Sequence, residues 1–279
     1  MKSIGTIASV FLTAAIFFVA GAADQKHVFS TRQRERVHLR DVLGRISPPH
    51  VVLVGEHHGR IAHHRGQLEV IRQLHDAGMK VIVGLEMFRS DSQWALDQWI
   101  AGDIEESRFK KIYYDNWTFD WSAYAIIFRY ARENGIPLIG LNVPREITRQ
   151  VSRGGFESLS PEQKGALRDV TCRVDDAYMD YIRKAYGAHA HGNLNFEFFC
   201  EAQMVWDNVM AINALDPLKR HKDTVLIILT GVGHAQKMAI PEQIHKRSEF
   251  PVTVFLPEVP GILDANTIGL SDADYLLPE

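Results

Sequence analysis

The sequence lacks several features that would place it quickly in a large class of proteins. It contains no His-Glu-x-x-His, Gly-x-Ser-x-Gly or Gly-x-x-x-x-Gly-Lys motif, so the common metalloprotease, serine-hydrolase and nucleotide-binding interpretations lose support. It also has no excess of one charge: the formal net charge is -3, with acids and bases interspersed. Nucleic acid is therefore not an expected partner. The 279 residues are 46% apolar, enough to bury a full core.

Hydrophobic runs long enough to span a membrane are absent too, and the one at the start of the chain is short. Lys2 precedes an apolar run from Ile7 to Ala20, which closes on the small residues Ala20-Gly21-Ala22. This layout is typical of a cleaved secretory signal, so we expect residues 1–22 to be a signal peptide and residues 23–279 to form one periplasmic or secreted domain. An uncleaved anchor is the alternative, but a span needs roughly 20 apolar residues, and we expect no stable membrane insertion.

Cysteine is scarce, and the two present permit at most one disulfide. Cys172 and Cys200 would lie in an oxidising compartment after export, where pairing is permitted. A bridge closing the loop between them would stabilise the fold by about 3–4 kcal/mol. The alternative is that Cys200 is simply a buried apolar residue.

Five short runs that are apolar on both faces predict strands covered by helices on both sides. They are Val51–Val54, Val81–Leu85, Pro137–Leu141, Thr224–Leu229 and Val252–Leu256. Segments with helical spacing lie between them, for example around Leu68, Ile71 and Leu74. This alternation predicts an α/β fold with an open, mainly parallel sheet and flanking helices.

A long interval, about residues 144–222, contains only helical patterns. Ser160–Gln163 is a capping box that opens one helix, and Asp175–Tyr186 and Phe196–Leu215 predict two more. We therefore expect a helical cap subdomain inserted over the carboxyl edge of the sheet.

Polar residues follow the first four predicted strands. Glu56 and His58 come after the first, Glu86 ends the second, Arg145 follows the third and His234 follows the fourth. In open α/β sheets, ligands bind beyond the carboxyl ends of the strands. The set Glu56, His58, Glu86 and His234 could bind a divalent metal, or supply a base and its orienter in a hydrolase. Taken singly, each is equally an ordinary helix cap or a satisfied polar group.

The cap contributes a second set of polar and aromatic groups. Tyr178 and Tyr186 lead into His189 and His191, and Gln203 lies on the helix that follows. Tyrosine and histidine in a glycine-ended loop are not easily explained by packing alone.

Other conspicuous residues fit a structural role. Trp206 and Met210 share a helical face with Gln203 and fit a core stripe. His63 and His64 lie on the first crossover helix, where solvated surface histidines are expected.

Four segments together resemble the ChaN family of haem-binding iron-uptake proteins, in the superfamily of Tiki-type metalloproteases, TraB-like proteins and erythromycin esterases. They are Val54–His58, Gly84–Phe88, Ala202–Ala211 and Gly231–His234, in order across about His50 to Leu256. The resemblance implies an α/β core with a helical subdomain and a homodimer that encloses two stacked haems. Each iron would be bound by a tyrosine of one subunit, with a histidine of the other nearby.

The resemblance also implies a set of haem-binding residues in the cap. Tyr178 is the first choice for the iron ligand and Tyr186 the second, with His189 or His191 as the assisting group. Arg145 or Arg183 would pair with the propionates, and Gln203 would be a further cofactor-binding residue. A phenolate is a hard ligand that favours ferric iron. The absence of a Cys-x-x-Cys-His motif makes the haem non-covalent.

The expected function is therefore periplasmic haem binding in iron uptake, with haem transporter components as partners. The chain lacks the lipoprotein cysteine of lipid-anchored family members, so we expect a free carrier. The alternative is a metal-dependent hydrolase that uses the strand-end residues.

Overall fold

The computed structural model describes residues 27–167, 169–186 and 195–279, and the predicted signal peptide lies outside these ranges. The strands are β1 (His27–Ser30), β2 (Glu35–His38), β3 (His50–Glu56), β4 (Lys80–Arg89), β5 (Leu138–Asn142), β6 (Thr224–Gly231), β7 (Val252–Pro257) and β8 (Tyr275–Leu277). The α-helices are α1 (Leu39–Leu43), α2 (Ile61–Asp76), α3 (Gln93–Ala101), α4 (Glu106–Asn116), α5 (Trp121–Glu133), α6 (Arg145–Gly154), α7 (Pro161–Ala166), α8 (Asp176–Tyr186), α9 (Phe196–Arg220), α10 (Val232–Ala235) and α11 (Ile240–His245).

The strands form one sheet in the order β2-β1-β8-β7-β3-β6-β4-β5. All five predicted strands are present, as β3 to β7, and each pairs in parallel with its neighbours among them. The prediction of an open, mainly parallel α/β sheet is confirmed. Because β3 lies between β6 and β7, and β6 between β3 and β4, the carboxyl ends of these strands meet at one edge.

Three short strands at the other side of the sheet were not predicted. β1 pairs antiparallel with both β2 and β8, and β8 extends the parallel part beside β7. β2 is largely exposed and polar, so it carries no apolar signal that would distinguish it from a loop. β8 is three residues long, too short for a visible period.

The central strands are apolar on both faces because each face packs against helices. In β3, Val52 and Val54 join the core on the α2 and α5 side, whereas Val51 and Leu53 join the core on the α9 and α11 side. Successive side chains of a strand point to opposite faces, so both layers draw on every central strand. This buried frame fixes the strand ends on which the site depends.

The interval predicted to be a helical cap contains α6 to α9 in its described part. The capping box at Ser160 is present: the Ser160 hydroxyl accepts from the Gln163 backbone amide, and the Gln163 side-chain oxygen accepts from the Ser160 backbone amide. The first half of α9 packs with α6, α8 and Leu167, but its second half, including Met210 and Leu218, packs on the sheet face. α9 is therefore both part of the cap and a crossover helix.

Both cysteines are thiols in this structure. Cys200 is fully buried, in agreement with the apolar alternative, and Cys172 is half-buried in the same cluster of side chains. Burial raises the pKa of the Cys172 thiol to about 12 and that of Cys200 to about 11. Across the described ranges, no helix has the length and apolar character needed to cross a membrane.

Candidate functional site

Glu56 forms the centre of the site at the carboxyl end of β3. Its side chain is fully buried, and His58 Nδ1 lies 2.7 Å from its Oε1 atom. The Tyr124 hydroxyl donates to the same oxygen at 2.5 Å, and His64 Nε2 lies 3.0 Å from the other oxygen, Oε2. Three side chains from α2, α5 and the β3–α2 connection therefore converge on one buried carboxylate.

This arrangement keeps Glu56 ionised. Burial opposes the charged form, but the hydrogen bonds from His58 and His64 outweigh it and lower the pKa of Glu56 to about 2. Burial also opposes charge on His58, yet the contact with Glu56 and the nearby charge of Glu86 raise the pKa of the imidazole above its usual 6.5. The two groups form a carboxylate–imidazole pair inside the protein.

Glu86 lies beside this pair, near the end of β4. Its Oε2 atom accepts hydrogen bonds from the Thr230 hydroxyl at 2.6 Å and the Gly231 amide at 2.7 Å. Its Oε1 atom lies 3.9 Å from His58 Nε2. Gly231 is needed for this approach, because a Cβ atom there would lie only 3.0 Å from two atoms of the His58 ring. Gly231, at the end of β6, therefore provides space for the His58 ring, which follows β3.

His234 belongs to a second buried chain of polar groups. Its Nδ1 atom lies 2.7 Å from Asp207 Oδ1, and the Tyr178 hydroxyl donates to Asp207 Oδ2 at 2.6 Å. Burial raises the pKa of Asp207. Burial opposes charge on His234 as well, but Asp207 and Glu86 raise its pKa above 6.5. We call Glu56, His58, Glu86, Asp207 and His234 the strand-end site.

The predicted metal site has no complete ligand set in the described part of the chain, where no three His, Cys, Asp or Glu side chains are placed to hold a metal ion. Two of the predicted ligands have close protein partners. His234 uses Nδ1 on Asp207, and Glu86 accepts two hydrogen bonds through one oxygen.

Tyr178, the first choice for the iron ligand, points into the protein. It is 3% exposed and its hydroxyl is bound to Asp207. Tyr186 is the last residue of α8, and its side chain lies outside the described part of the structure, as do His189 and His191. α8 packs over the strand-end site through Tyr178 and through Tyr181, whose hydroxyl donates to the Gly233 carbonyl.

The other predicted cofactor-binding residues are spread over the cap. Arg145 is exposed and donates to the Asn116 carbonyl at 2.6 Å. Arg183 is exposed, pairs with Asp180 at 2.5 Å and lies over the Phe196 ring. Gln203 is buried, and its Oε1 atom has no hydrogen-bond partner among the described residues.

Sequence reasoning missed three members of the network: His64, Tyr124 and Asp207. The expectation that His63 and His64 are surface residues is wrong, because both are buried. His63 Nδ1 accepts from the His57 amide, and His64 contacts Glu56. The structural reading of Met210 is confirmed, since its side chain is fully buried in the core.

Comparison with known proteins identifies relatives of the whole fold. The family model described as haem-binding uptake, Tiki superfamily, ChaN, matches residues 42–244. A structure of cofacial haem binding to ChaN of Campylobacter jejuni superposes with a TM-score of 0.68 and 20% identity, covering 90% of this chain and 95% of that one. The type III effector HopBA1 superposes with a TM-score of 0.51 and 16% identity, covering 85% and 90%.

One curated relative matches a smaller part of the sequence. The chloroplastic protein RETICULATA-RELATED 5 of Arabidopsis thaliana is 27% identical over 103 residues. This match spans 35% of the present chain and only 14% of the relative's length. The family match, by contrast, covers well over half of the sequence and includes every member of the strand-end site. The chain therefore belongs to the ChaN family of haem-binding uptake proteins in the Tiki superfamily.

Proposed function

We propose that this protein binds ferric haem non-covalently and takes part in haem or iron uptake. The observation that carries the proposal is the family match over residues 42–244, which includes α8 and the described part of the cap. Non-covalent binding is supported by the two cysteines, neither of which lies in a Cys-x-x-Cys-His motif.

The iron ligand is a tyrosine of α8, because a phenolate is a hard anionic ligand that suits ferric iron. Tyr178 and Tyr186 differ in what ligation would require. Ligation by Tyr178 would break its buried hydrogen bond to Asp207 and move α8 away from the strand-end site. Tyr186 is the last residue of α8, so ligation by it would not require the Tyr178–Asp207 hydrogen bond to break. We therefore propose Tyr186 as the ligand, with His189 or His191 as the assisting group.

The haem lies at a homodimer interface in this proposal. The ChaN structure from Campylobacter jejuni contains cofacial haem, an arrangement in which two haem planes face each other. Two haems stacked between two copies of this chain would shield both porphyrin faces from water. Residues 1–22 direct the protein to the periplasm, where it passes haem to transporter components as a free carrier.

Hemin titration of tyrosine variants tests the choice of ligand. The mature protein beginning at Ala23 is titrated with hemin, and its visible spectrum is recorded for the wild type, Tyr186→Phe and Tyr178→Phe. We expect Tyr186→Phe to lose the tyrosinate-type ferric spectrum and Tyr178→Phe to retain it. Retention of that spectrum in Tyr186→Phe, with loss in Tyr178→Phe, would contradict the assignment and identify the buried tyrosine as the ligand.

A second candidate function, histidine-dependent hydrolysis, is favoured by the Glu56–His58 pair. Glu56 holds His58 Nδ1, which leaves Nε2 to exchange a proton, and the His58 side chain is 28% exposed. A carboxylate that orients a histidine in this way is the pattern of a general base and its orienter. Glu86, 3.9 Å from Nε2, would stabilise the imidazolium after it takes up a proton.

Ester hydrolysis by matched variants tests this candidate. The protein is assayed against a panel of carboxylic and phosphate esters, with His58→Asn and Glu56→Gln as variants. The candidate function predicts turnover that both variants lose and that EDTA does not change. Absence of turnover by the wild-type protein on every ester would contradict it.

A further inference from the structure

A groove of about 390 Å³ lies between α8 and the segment 258–274 that joins β7 to β8. One wall is formed by Ala177, Tyr181 and Lys184 of α8, and the opposite wall by Ile262 and its neighbours. The spacing of four and three residues places the α8 members on one helical face. The volume falls within the roughly 300–1,000 Å³ of small-molecule sites. We call this cleft the α8 groove.

The α8 groove has an apolar floor and an apolar outer edge. Met238, Leu263 and Ile268 line it, and Ile262 at its edge is 64% exposed. A flat apolar ligand seated here would cover side chains that water now contacts. The groove is open on one side, so a ligand as wide as a porphyrin would be only partly enclosed by one copy of the chain.

The α8 groove contains one cation that suits a ligand with carboxylates. Lys184 is exposed and, within the part of the chain that the structure describes, forms no ion pair. The two acidic side chains in the walls are already engaged: Asp180 pairs with Arg183 at 2.5 Å, and Asp272 accepts from the Gly269 amide at 2.8 Å. Lys184 is therefore the cation in the groove walls that can pair with a ligand carboxylate.

The inner end of the α8 groove offers one further polar atom. His57 lines the groove, and its Nε2 atom is buried without a hydrogen-bond partner among the described residues. Its backbone amide, by contrast, donates to His63 Nδ1 at 2.9 Å. Because Nε2 is shielded from solvent, a ligand would form a hydrogen bond to it only if this end of the groove opened.

We propose that the α8 groove holds one edge of the haem, with Lys184 pairing with a propionate carboxylate and Ile262 packing against the porphyrin. This inference rests on the proposed function and assigns the propionate contact to Lys184, where the sequence had suggested Arg145 or Arg183. Arg145 already binds the Asn116 carbonyl, and Arg183 is held by Asp180 and Phe196. The α8 groove fixes the periphery of the porphyrin and leaves the choice of iron ligand to the tyrosine test.

Equilibrium titration with two porphyrins tests this assignment. Hemin and hemin dimethyl ester, which lacks free carboxylates, are each titrated into the mature protein and into Lys184→Ala and Ile262→Asp. Lys184→Ala is expected to weaken hemin binding by about tenfold or more, the size of a lost charge-assisted hydrogen bond, and to leave ester binding unchanged. Ile262→Asp is expected to weaken binding of both porphyrins.

Two control variants separate specific from general effects. Lys222→Ala removes an exposed lysine at the opposite edge of the sheet, before β6, and Leu270→Asp changes a 45% exposed residue that does not line the groove. Both should bind hemin as the wild type does. If Lys184→Ala and Ile262→Asp also bind hemin normally, the α8 groove is not the site, although haem binding stands. If the wild-type protein shows no saturable hemin binding, the groove assignment and the proposed function both fail.

Discussion

Replacing Glu56 with glutamine tests the electrostatic centre of the strand-end site. Glutamine keeps the shape of the side chain but removes the charge that His58 and His64 surround, and it presents one acceptor oxygen where the carboxylate has two. The Tyr124 hydroxyl, 2.5 Å from Oε1, also loses its charged acceptor. The donors on His58, His64 and Tyr124 would then compete for a single neutral oxygen.

The magnitude follows from the pKa of Glu56. Its fall from the usual 4.5 to about 2, at about 1.4 kcal/mol for each pH unit, corresponds to about 3 kcal/mol of folding free energy at neutral pH. Because the folded pKa is depressed, this stability is present above pH 4.5 and is lost as the pH falls through about 2. The difference between wild type and Glu56→Gln should therefore shrink across that window.

Urea unfolding followed by circular dichroism measures both effects. Glu106→Gln is the matched control, since Glu106 pairs with Arg129 on the surface and such pairs contribute about 1 kcal/mol or less. We expect Glu56→Gln to lose about 3 kcal/mol at neutral pH and clearly less near pH 3. A loss no larger than that of Glu106→Gln, or one that does not change with pH, would refute the reasoning.

Three further predictions concern the same network. Because the folded pKa values of His58 and His234 lie above 6.5, both histidines stabilise the protein below that pH. The unfolding free energy lost in His58→Asn or His234→Asn should therefore shrink as the pH rises through the folded values, and a loss that does not shrink would contradict this. Tyr178→Phe should lose about 2 kcal/mol of unfolding free energy because a buried carboxylate loses its donor, and an unchanged urea midpoint would argue against that contact. Gly231→Ala should lose about 1–2 kcal/mol of unfolding free energy, because the new Cβ atom would lie too close to the His58 ring. In the control Gly165→Ala the Cβ atom would have no neighbouring atom within 4 Å, so this variant should be neutral or slightly stabilised. Equal stability of the two variants would exclude crowding at Gly231.

The five central strands could be predicted because a strand buried on both faces leaves a plain signal in the sequence. Val51–Val54 and Val81–Leu85 are apolar runs, and alternate residues of each run pack into the hydrophobic cores on the two faces of the sheet. The edge strands could not be predicted, because β2 is exposed and polar and β1 pairs with β8 across about 245 positions of the chain. Pairing over such a distance leaves no local pattern.

The site was only partly accessible to sequence reasoning, for the same reason. Strand-end logic identified Glu56, His58, Glu86 and His234, since the carboxyl ends of neighbouring parallel strands must meet. It could not identify Tyr124, which occupies an apolar face of α5 and turns its hydroxyl to Glu56 across 68 positions. The orientation of a single side chain on an amphipathic helix depends on its tertiary partner.

The assignment of Tyr178 illustrates this limit most clearly. Judged by residue type alone, a tyrosine near histidines in the cap is suited to bind iron. In the structure the same tyrosine is buried and holds Asp207, which in turn holds His234. The buried position of Tyr178 therefore gives it a role in docking α8 over the strand-end site. For this reason we propose Tyr186 as the iron ligand.

Haem binding itself is tested most directly by titrating the wild-type protein with hemin while recording the Soret band and the mass in solution. Our proposal predicts a new Soret band that saturates at one haem per chain, together with conversion of the protein to a dimer. A spectrum that remains that of free hemin at every ratio, with no change in mass, would contradict it.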